Sequence, residues 1–284
     1  MKLITWNVQY GKGVDGAVDF RRIVETARRL GDADVICLQE IAVNFPALDG
    51  GAGGDQPDII AGLLPGYTPV FRPAIDYATA TGRRQLFGNM VLSRLPVLQI
   101  LPHLLPRPVD AGGRNMQRQA LEVVIAAAGF GPLRIVTTHL EFYSEPHRQA
   151  QVEQIRALHA EAAARAAAPD APDTSEGTYR SIPRPASALV CGDFNFEPGW
   201  PEYRRMLAPF DAPTPVFHDA WTRLHPGEPH APTCGIYDAD QWPKGANCRD
   251  FVFLTDDLAR RLRRIAVDGK TAASDHQPVL VELE

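Results

Sequence analysis

At 284 residues the chain is long enough to bury a sizeable core, as one large domain or two small ones. Its formal net charge of −5 lacks the basic excess usual for a duplex binder and argues against tight nonspecific nucleic-acid binding, although a local basic groove stays open. No apolar run could span a bilayer and no signal-like segment opens the chain, so a soluble, cytoplasmic protein without a transmembrane segment is expected.

The opening reads strand, turn, helix, strand. Leu3 to Val8 is apolar-rich and Gly11 to Gly16 is a turn. Phe20, Ile23, Val24, Ala27 and Leu30 then recur at helical spacing, with arginines on the opposite face. Gly31 stops that helix, and Val35 to Leu38 forms the next buried strand. Asn44 to Gln56 is rich in Gly, Pro and Asp and reads as a loop.

Strands then follow in succession over 68–71, 86–92, 97–101, 119–126 and 133–138, with Asp110 to Asn115 as a loop. Without intervening helices, these strands pair antiparallel. Pro146 suits the first turn of a helix capped by Ser144 or Glu145, whose apolar stripe is Val152, Ile155 and Leu158 and whose alanine-rich tail runs to Ala168. Pro169 to Pro185 is a proline-rich excursion, after which core strands resume at Ala188. Strands at 251–254 and 278–284 complete the pattern, which fits two facing sheets in a single 1–284 domain.

Cys37 and Cys191 sit in apolar strand runs, while Cys234 and Cys248 sit in polar loop sequence without zinc spacing. All four are expected to be reduced and structural, with a Cys234–Cys248 bridge as the open alternative.

The chemistry-bearing residues stand at strand ends. Asn7 follows Ile4-Thr5-Trp6, and Glu40 follows Val35 to Gln39. Asp193 and Asn195 follow Val190-Cys191-Gly192, two apart and so on one face of an extended segment. Asp275 and His276 precede Pro278-Val279. Each has an ordinary explanation alone: a surface Glu40, a turn-forming Asn7, an Asx turn at Asp193, a loop pair at Asp275-His276, a core His139 after Thr137-Thr138, a strand-start Asp250. That all these explanations hold at successive strand ends is the weaker account. Clustered oxygen ligands suit a hard divalent cation and a phosphate.

In order along the chain, Trp6-Asn7, Gln39-Glu40, Gly88-Asn89 with Leu92-Ser93-Arg94, Thr138-His139-Leu140, Gly192-Asp193-Phe194-Asn195, Asp250-Phe251-Val252-Phe253 and Ser274-Asp275-His276-Gln277-Pro278 resemble the endonuclease/exonuclease/phosphatase superfamily. Members include deoxyribonuclease I, exonuclease III-type repair enzymes, neutral sphingomyelinases, inositol polyphosphate 5-phosphatases and tyrosyl-DNA phosphodiesterases. Thr138-His139-Leu140-Glu141 replaces the Tyr-x-Pro-Asn segment of the exonuclease III type, which is similar to the histidine-bearing branch. The arginine that the family often carries before its Phe-Val-Phe run is shifted by one at Arg249, so no role is transferred to it.

The resemblance implies an α/β fold of the deoxyribonuclease I type: a four-layer α/β/β/α sandwich of two mixed, mainly antiparallel sheets flanked by helices. It implies a monomeric magnesium-dependent phosphoesterase, with manganese as substitute ion, that attacks a phosphodiester in line with an activated water. Glu40, Asn7 and Asp275 would hold the metal, Asp193 would activate the water, and Asn195 would hold phosphate and water. His276, oriented by Asp250, and His139 as a second cationic donor would face the phosphate, with Asn89 and Arg148 as softer phosphate contacts. Nucleic acid or a nucleic-acid adduct is the first substrate expected, and a phosphosphingolipid or inositol phosphate the second. Arg83, Arg84, Arg107, Arg114 and Arg118 either line a phosphate groove or, the expectation here, stay solvated. The reading from another class is a non-catalytic binding module on the same scaffold; such modules usually lose the acidic and histidine positions that this chain keeps.

Overall fold

A computed structural model of the chain describes residues 1–48, 54–110, 113–168, 177–180, 182–211 and 213–284. The loop expectations at 44–56, 110–115 and 169–185 therefore fall partly outside the described residues.

Two six-stranded mixed sheets face each other. The first contains β1 (Lys2–Asn7), β2 (Val35–Val43), β3 (Thr68–Ala78), β4 (Arg84–Ser93), β11 (Leu262–Val267) and β12 (Val279–Leu283), ordered β11-β12-β1-β2-β4-β3. The second contains β5 (Val97–Leu104), β6 (Gln119–Ala127), β7 (Gly131–His139), β8 (Ala188–Asp193), β9 (Phe217–Asp219) and β10 (Asp250–Thr255), ordered β5-β6-β7-β8-β10-β9. Only β1–β2 and β7–β8 pair in parallel; the other neighbours are antiparallel. Helices α1 (Phe20–Leu30) and α2 (Gln56–Leu63) cover the first sheet, and α3 (Glu145–Ala167) and α4 (Pro201–Leu207) cover the second. The four-layer expectation holds.

The pleat explains the layers. Along β1, Ile4 and Trp6 face α1, where they meet Phe20, Ile23 and Ala27. Leu3 faces the other way, into an inter-sheet core shared with Val35, Cys37, Val123, Leu189, Cys191, Val252 and Val281. Asp19 caps α1, its carboxylate accepting from the Arg21 amide at 2.9 Å, and Ser144 caps α3 from His147. No helix among the described residues is long and apolar enough to cross a membrane.

Sequence reasoning missed α2, α4, two short helices α5 (Ala220–Leu224) and α6 (Asp256–Ala259), and strands β9 and β11. These are short or lack clear periodicity, and packing rather than propensity decides them. Cys234 and Cys248 are buried, not loop-exposed, and all four cysteines are free thiols. The bridge alternative therefore falls away.

Candidate active site

The site arises from a gradient along the inter-sheet faces. With a side-chain period of two, β1 presents Leu3, Thr5 and Asn7 to the space between the sheets, and β2 presents Val35, Cys37 and Gln39. Opposite them β7 presents Leu133, Ile135, Thr137 and His139, and β8 presents Leu189, Cys191 and Asp193. Each strand runs from apolar to polar toward the same rim. Gln39 closes the apolar part, its amide donating to Thr137 Oγ1 at 2.9 Å across the sheets. Beyond this rung only polar groups remain, and register sets His139 beside Asp193 and Asp250 beside Asp193.

Two backbone devices aim the acids. β2 carries a bulge between Leu38 and Ile41, where Glu40 adopts φ +62°. A bulge re-aims one side chain, and the left-handed conformation costs a non-glycine residue about 1–3 kcal/mol. At Gly192, φ is +136° and an added Cβ would lie 1.9 Å from the Thr138 carbonyl oxygen. Only glycine lets β8 run so close to β7 at this polar rim.

Asn7 sits between two acids, its Nδ2 donating to Glu40 Oε1 and to Asp193 Oδ2, both at 2.9 Å. Its Oδ1 accepts from the Gln9 amide. Asp193 Oδ2 also faces His139 Nε2 at 3.5 Å and His276 Nε2 at 3.7 Å. His276 Nδ1 bonds Asp250 Oδ2 at 2.8 Å, so Nδ1 carries the proton and Nε2 is turned to Asp193. Asn195, at φ +52°, closes an Asx turn onto Asp193 Oδ1 at 3.0 Å and donates from Nδ2 to the Leu140 carbonyl. The Asx turn and the site position are thus the same feature. Ser274 donates to the Asn7 carbonyl at 2.8 Å, and Trp6 Nε1 donates to the His276 carbonyl at 2.9 Å. Asp275 accepts from Gln241 at 2.8 Å.

Charge follows from these neighbours. Burial disfavours a charged His276, but Asp250, Asp193 and Asp275 outweigh it and raise its basicity well above the ordinary histidine range. Burial pushes the Asp193 carboxyl up, yet the His276 charge, with the bonds from Asn7 Nδ2 and the Asn195 amide, holds it below the usual carboxylate range. His139 differs from the expected cation: burial, reinforced by the Arg118 charge, holds it well below the ordinary range, so it faces the site as a neutral imidazole. Glu40 is pushed up to about 7 by burial and by the like charge of Asp275.

Crowded oxygen donors of this kind fit a hard divalent cation, which would relieve the repulsion between Glu40 and Asp275. Asp193, Asp250 and His276 also bring ligand atoms within 4.8 Å of one another, though His276 Nδ1 is already bonded to Asp250.

The cluster forms one end of a cleft of about 670 Å³, lined by Glu40, His139, Asp193, Asn195 and His276. Asn89 and Arg148 are not among its lining residues. Asn89 donates to the Gln119 carbonyl, and Arg148 spends its donors on Glu202 and on the carbonyls of Glu141 and Phe142. Arg118 does line the cleft, and it is buried rather than solvated. Its Nε bonds Glu141 at 3.3 Å, while Nη1 has no hydrogen-bond partner among the described residues. Arg249 also has a place: it donates to the Asn195 carbonyl at 2.8 Å and thereby steadies the Asp193–Asn195 turn. Arg118 carried no readable signal beyond its charge, whereas Arg249 stood one position from the family's arginine and was given no role on that account.

A family model described as "Endonuclease/Exonuclease/phosphatase family" matches residues 4–276. The chain belongs to that family. Its members are hydrolases that act on phosphoester bonds. No curated protein matches the sequence. Similar solved structures include an endonuclease/exonuclease/phosphatase from Bacteroides vulgatus, at 18% identity and TM-score 0.68, covering 100% of this chain and 98% of that one. A mannosyl-6-phosphatase from Bacteroides thetaiotaomicron matches at 15% identity and TM-score 0.67, over 100% and 99% of the two chains. The human Nocturnin catalytic domain with bound sulfate matches at 16% identity and TM-score 0.64, over 100% and 94%. At these identities the likeness establishes the fold; activity has to be argued from the site.

Proposed function

We propose that the protein is a magnesium-dependent phosphoesterase that hydrolyses a phosphodiester, with nucleic acid or a nucleic-acid adduct as its first-choice substrate. The observation that carries this reading is the Asp193 carboxylate held between two imidazole Nε2 atoms, at 3.5 and 3.7 Å, beside Asn7 and Glu40.

Asp193, kept ionised by its neighbours, takes the proton of the attacking water. His276, kept cationic and fixed by Asp250, donates from Nε2 to a phosphate oxygen as charge builds there. His139 adds a neutral donor, and Arg118 Nη1 supplies a further one. Asn195 holds phosphate and water beside Asp193. Glu40 and Asp275, with Asn7, would hold magnesium or manganese, and a bound divalent ion would neutralise charge developing on the phosphoryl oxygens.

Hydrolysis of bis(4-nitrophenyl) phosphate and of a single-stranded DNA oligonucleotide tests the reading. Turnover is expected with magnesium and not with EDTA. Asp193→Asn is expected to lower kcat about 10²–10⁴-fold with an unchanged melting temperature. Near-wild-type turnover by that variant would remove Asp193 from its role. Turnover of the chromogenic diester alone would remove nucleic acid as substrate.

A further inference from the structure

The reactive cluster occupies only one end of the cleft. A phosphate fills little of about 670 Å³, given that a liquid water takes ~30 Å³. The opposite end has a different chemistry. Ile75 and Phe87, from the β3–β4 hairpin, form a small apolar cluster with Phe45, Leu48 and Met116. Phe45 meets Phe87 edge-on, with ring centroids 6.4 Å apart. All five line the cleft, and Tyr10 bridges this wall to Glu40.

Backbone irregularity builds the wall. β3 bulges between Pro73 and Ile75, and Gly88 lies so close that an added Cβ would sit 2.3 Å from the Arg72 carbonyl oxygen. The bulge re-aims side chains of the hairpin, and Ile75 and Phe87, though each only 8% exposed, reach the cleft lining beside the half-buried Phe45, Leu48 and Met116. An apolar wall left open beside a reactive cluster marks a binding surface.

The mouth sets a limit on what enters. Arg114 lies over the Tyr143 ring at 5.5 Å, and Asn115 stands beside them. Tyr77 and Tyr143, both more than half exposed, present hydroxyl-bearing rings at the rim. A polar mouth bounds the apolar region, which suits a compact flat group and not a long acyl chain. Among the described residues Arg114 and Arg118 are the only lysine or arginine side chains that line the cleft, and His276 belongs to the reactive cluster, so a run of successive phosphates finds few partners there.

Resting on the phosphoesterase reading, we infer that this end is a specificity subsite for an aromatic ring carried on the scissile phosphate. The ring stacks against Phe87 and Phe45 and packs on the Met116 thioether. Its source is either a nucleobase or an aryl group esterified directly to phosphorus.

Calorimetric titration with non-hydrolysable ligands, in magnesium, tests this apart from catalysis. Phenylphosphonate is expected to bind about tenfold tighter than methylphosphonate, which shares its head group. Phe87→Ala should abolish that preference. Because Phe87 is buried and its loss could disturb the fold, Met116→Gln and Tyr77→Ser carry the test independently, each cutting the preference about threefold while methylphosphonate binds as before. A nucleoside 5′-phosphonate binding tighter than phenylphosphonate would assign the ring to a nucleobase, and the reverse order to a directly attached aryl group. Equal binding of phenyl- and methylphosphonate, or an unaltered preference in both mild variants, overturns the subsite. A preference without hydrolysis of any diester would overturn the phosphoesterase reading and leave the subsite standing.

Discussion

Glu40 carries two costs, one in its backbone and one in its charge. Its backbone is left-handed at φ +62°, and its carboxyl is pushed up to about 7 by burial and by Asp275. Glu40→Gln keeps the Asn7 contact geometry and removes the charge. In EDTA the variant is expected to melt a few degrees above wild type by scanning calorimetry, and in magnesium the gap is expected to close while kcat collapses. A wild type that outlasts the variant in EDTA would show that the carboxylate is not under strain. Arg118 makes the opposite case, a buried charge whose Nε is bound to Glu141 and whose Nη1 is buried without a hydrogen-bond partner among the described residues. Arg118→Lys preserves the charge opposite Glu141 and loses the second arm of the fork, so the inhibition constant of inorganic phosphate is expected to rise about tenfold. An unchanged constant would mean that Nη1 never reaches the phosphate.

At the scale of elements, the β7–β8 pair is the hinge of the site, because register alone sets His139 against Asp193. The pairing depends on Gly192, where an added methyl would collide with the Thr138 backbone. Gly192→Ala is expected to cost more than about 3 kcal/mol in denaturant unfolding and to lose activity even where it folds, since relief requires the strands to separate. A loss below ~1 kcal/mol would show that the close approach is dispensable. The same pair shows what the sequence made legible. Val136-Thr137-Thr138-His139 and Val190-Cys191-Gly192-Asp193 each announce a buried strand that turns polar at one end, and such a pattern reads directly because the side-chain period is two. Asp250 and the Asp275-His276 pair were legible for the same reason, aided by the order of the family motifs. Asn89 and Arg148 came from motif position alone, and the fold spends their donors on backbone carbonyls and Glu202. Arg118 and the apolar wall were not legible: the first looks like any surface arginine, and the second depends on two bulges that leave no compositional mark. The neutral state of His139 could not be read either, because it depends on a charge 21 positions away in sequence, Arg118, brought near by the β6–β7 hairpin.

Across the whole molecule, the second sheet holds its helical layer partly through buried charge. Glu122 on β6 bonds Arg184 at 2.8 Å and His103 at 3.2 Å, with Arg134 of β7 at 3.7 Å. Arg134 in turn donates to His159 Nδ1 of α3 at 2.6 Å, and His159 Nε2–H donates to the Pro215 carbonyl. Burial alone would raise the Glu122 carboxyl, but the bonds from His103 and Arg184 and the Arg134 charge bring it down to about 2 from an ordinary 4.5. Burial and the Arg134 charge bring His159 down to about 4 from an ordinary 6.5. Both groups therefore bind protons more readily in the unfolded chain. Stability linked to His159 is complete above pH 6.5 and is lost as pH falls toward 4; that linked to Glu122 is complete above pH 4.5 and is lost toward 2. At about 1.4 kcal/mol per pKa unit, each contributes about 3 kcal/mol. Melting temperature is thus expected to decline in two overlapping stages on acidification. His159→Gln should shrink the upper stage and leave the lower one, because an amide can accept from Arg134 and donate to Pro215 without taking up a proton, while His139 keeps its own share of the upper stage. An upper stage that persists unchanged in that variant would locate the early acid sensitivity at His139, whose imidazole is likewise held well below its ordinary range, because Glu40 and Asp250, with raised carboxyls, gain stability as pH falls; the α3 contact would then be structural packing without a titrating partner.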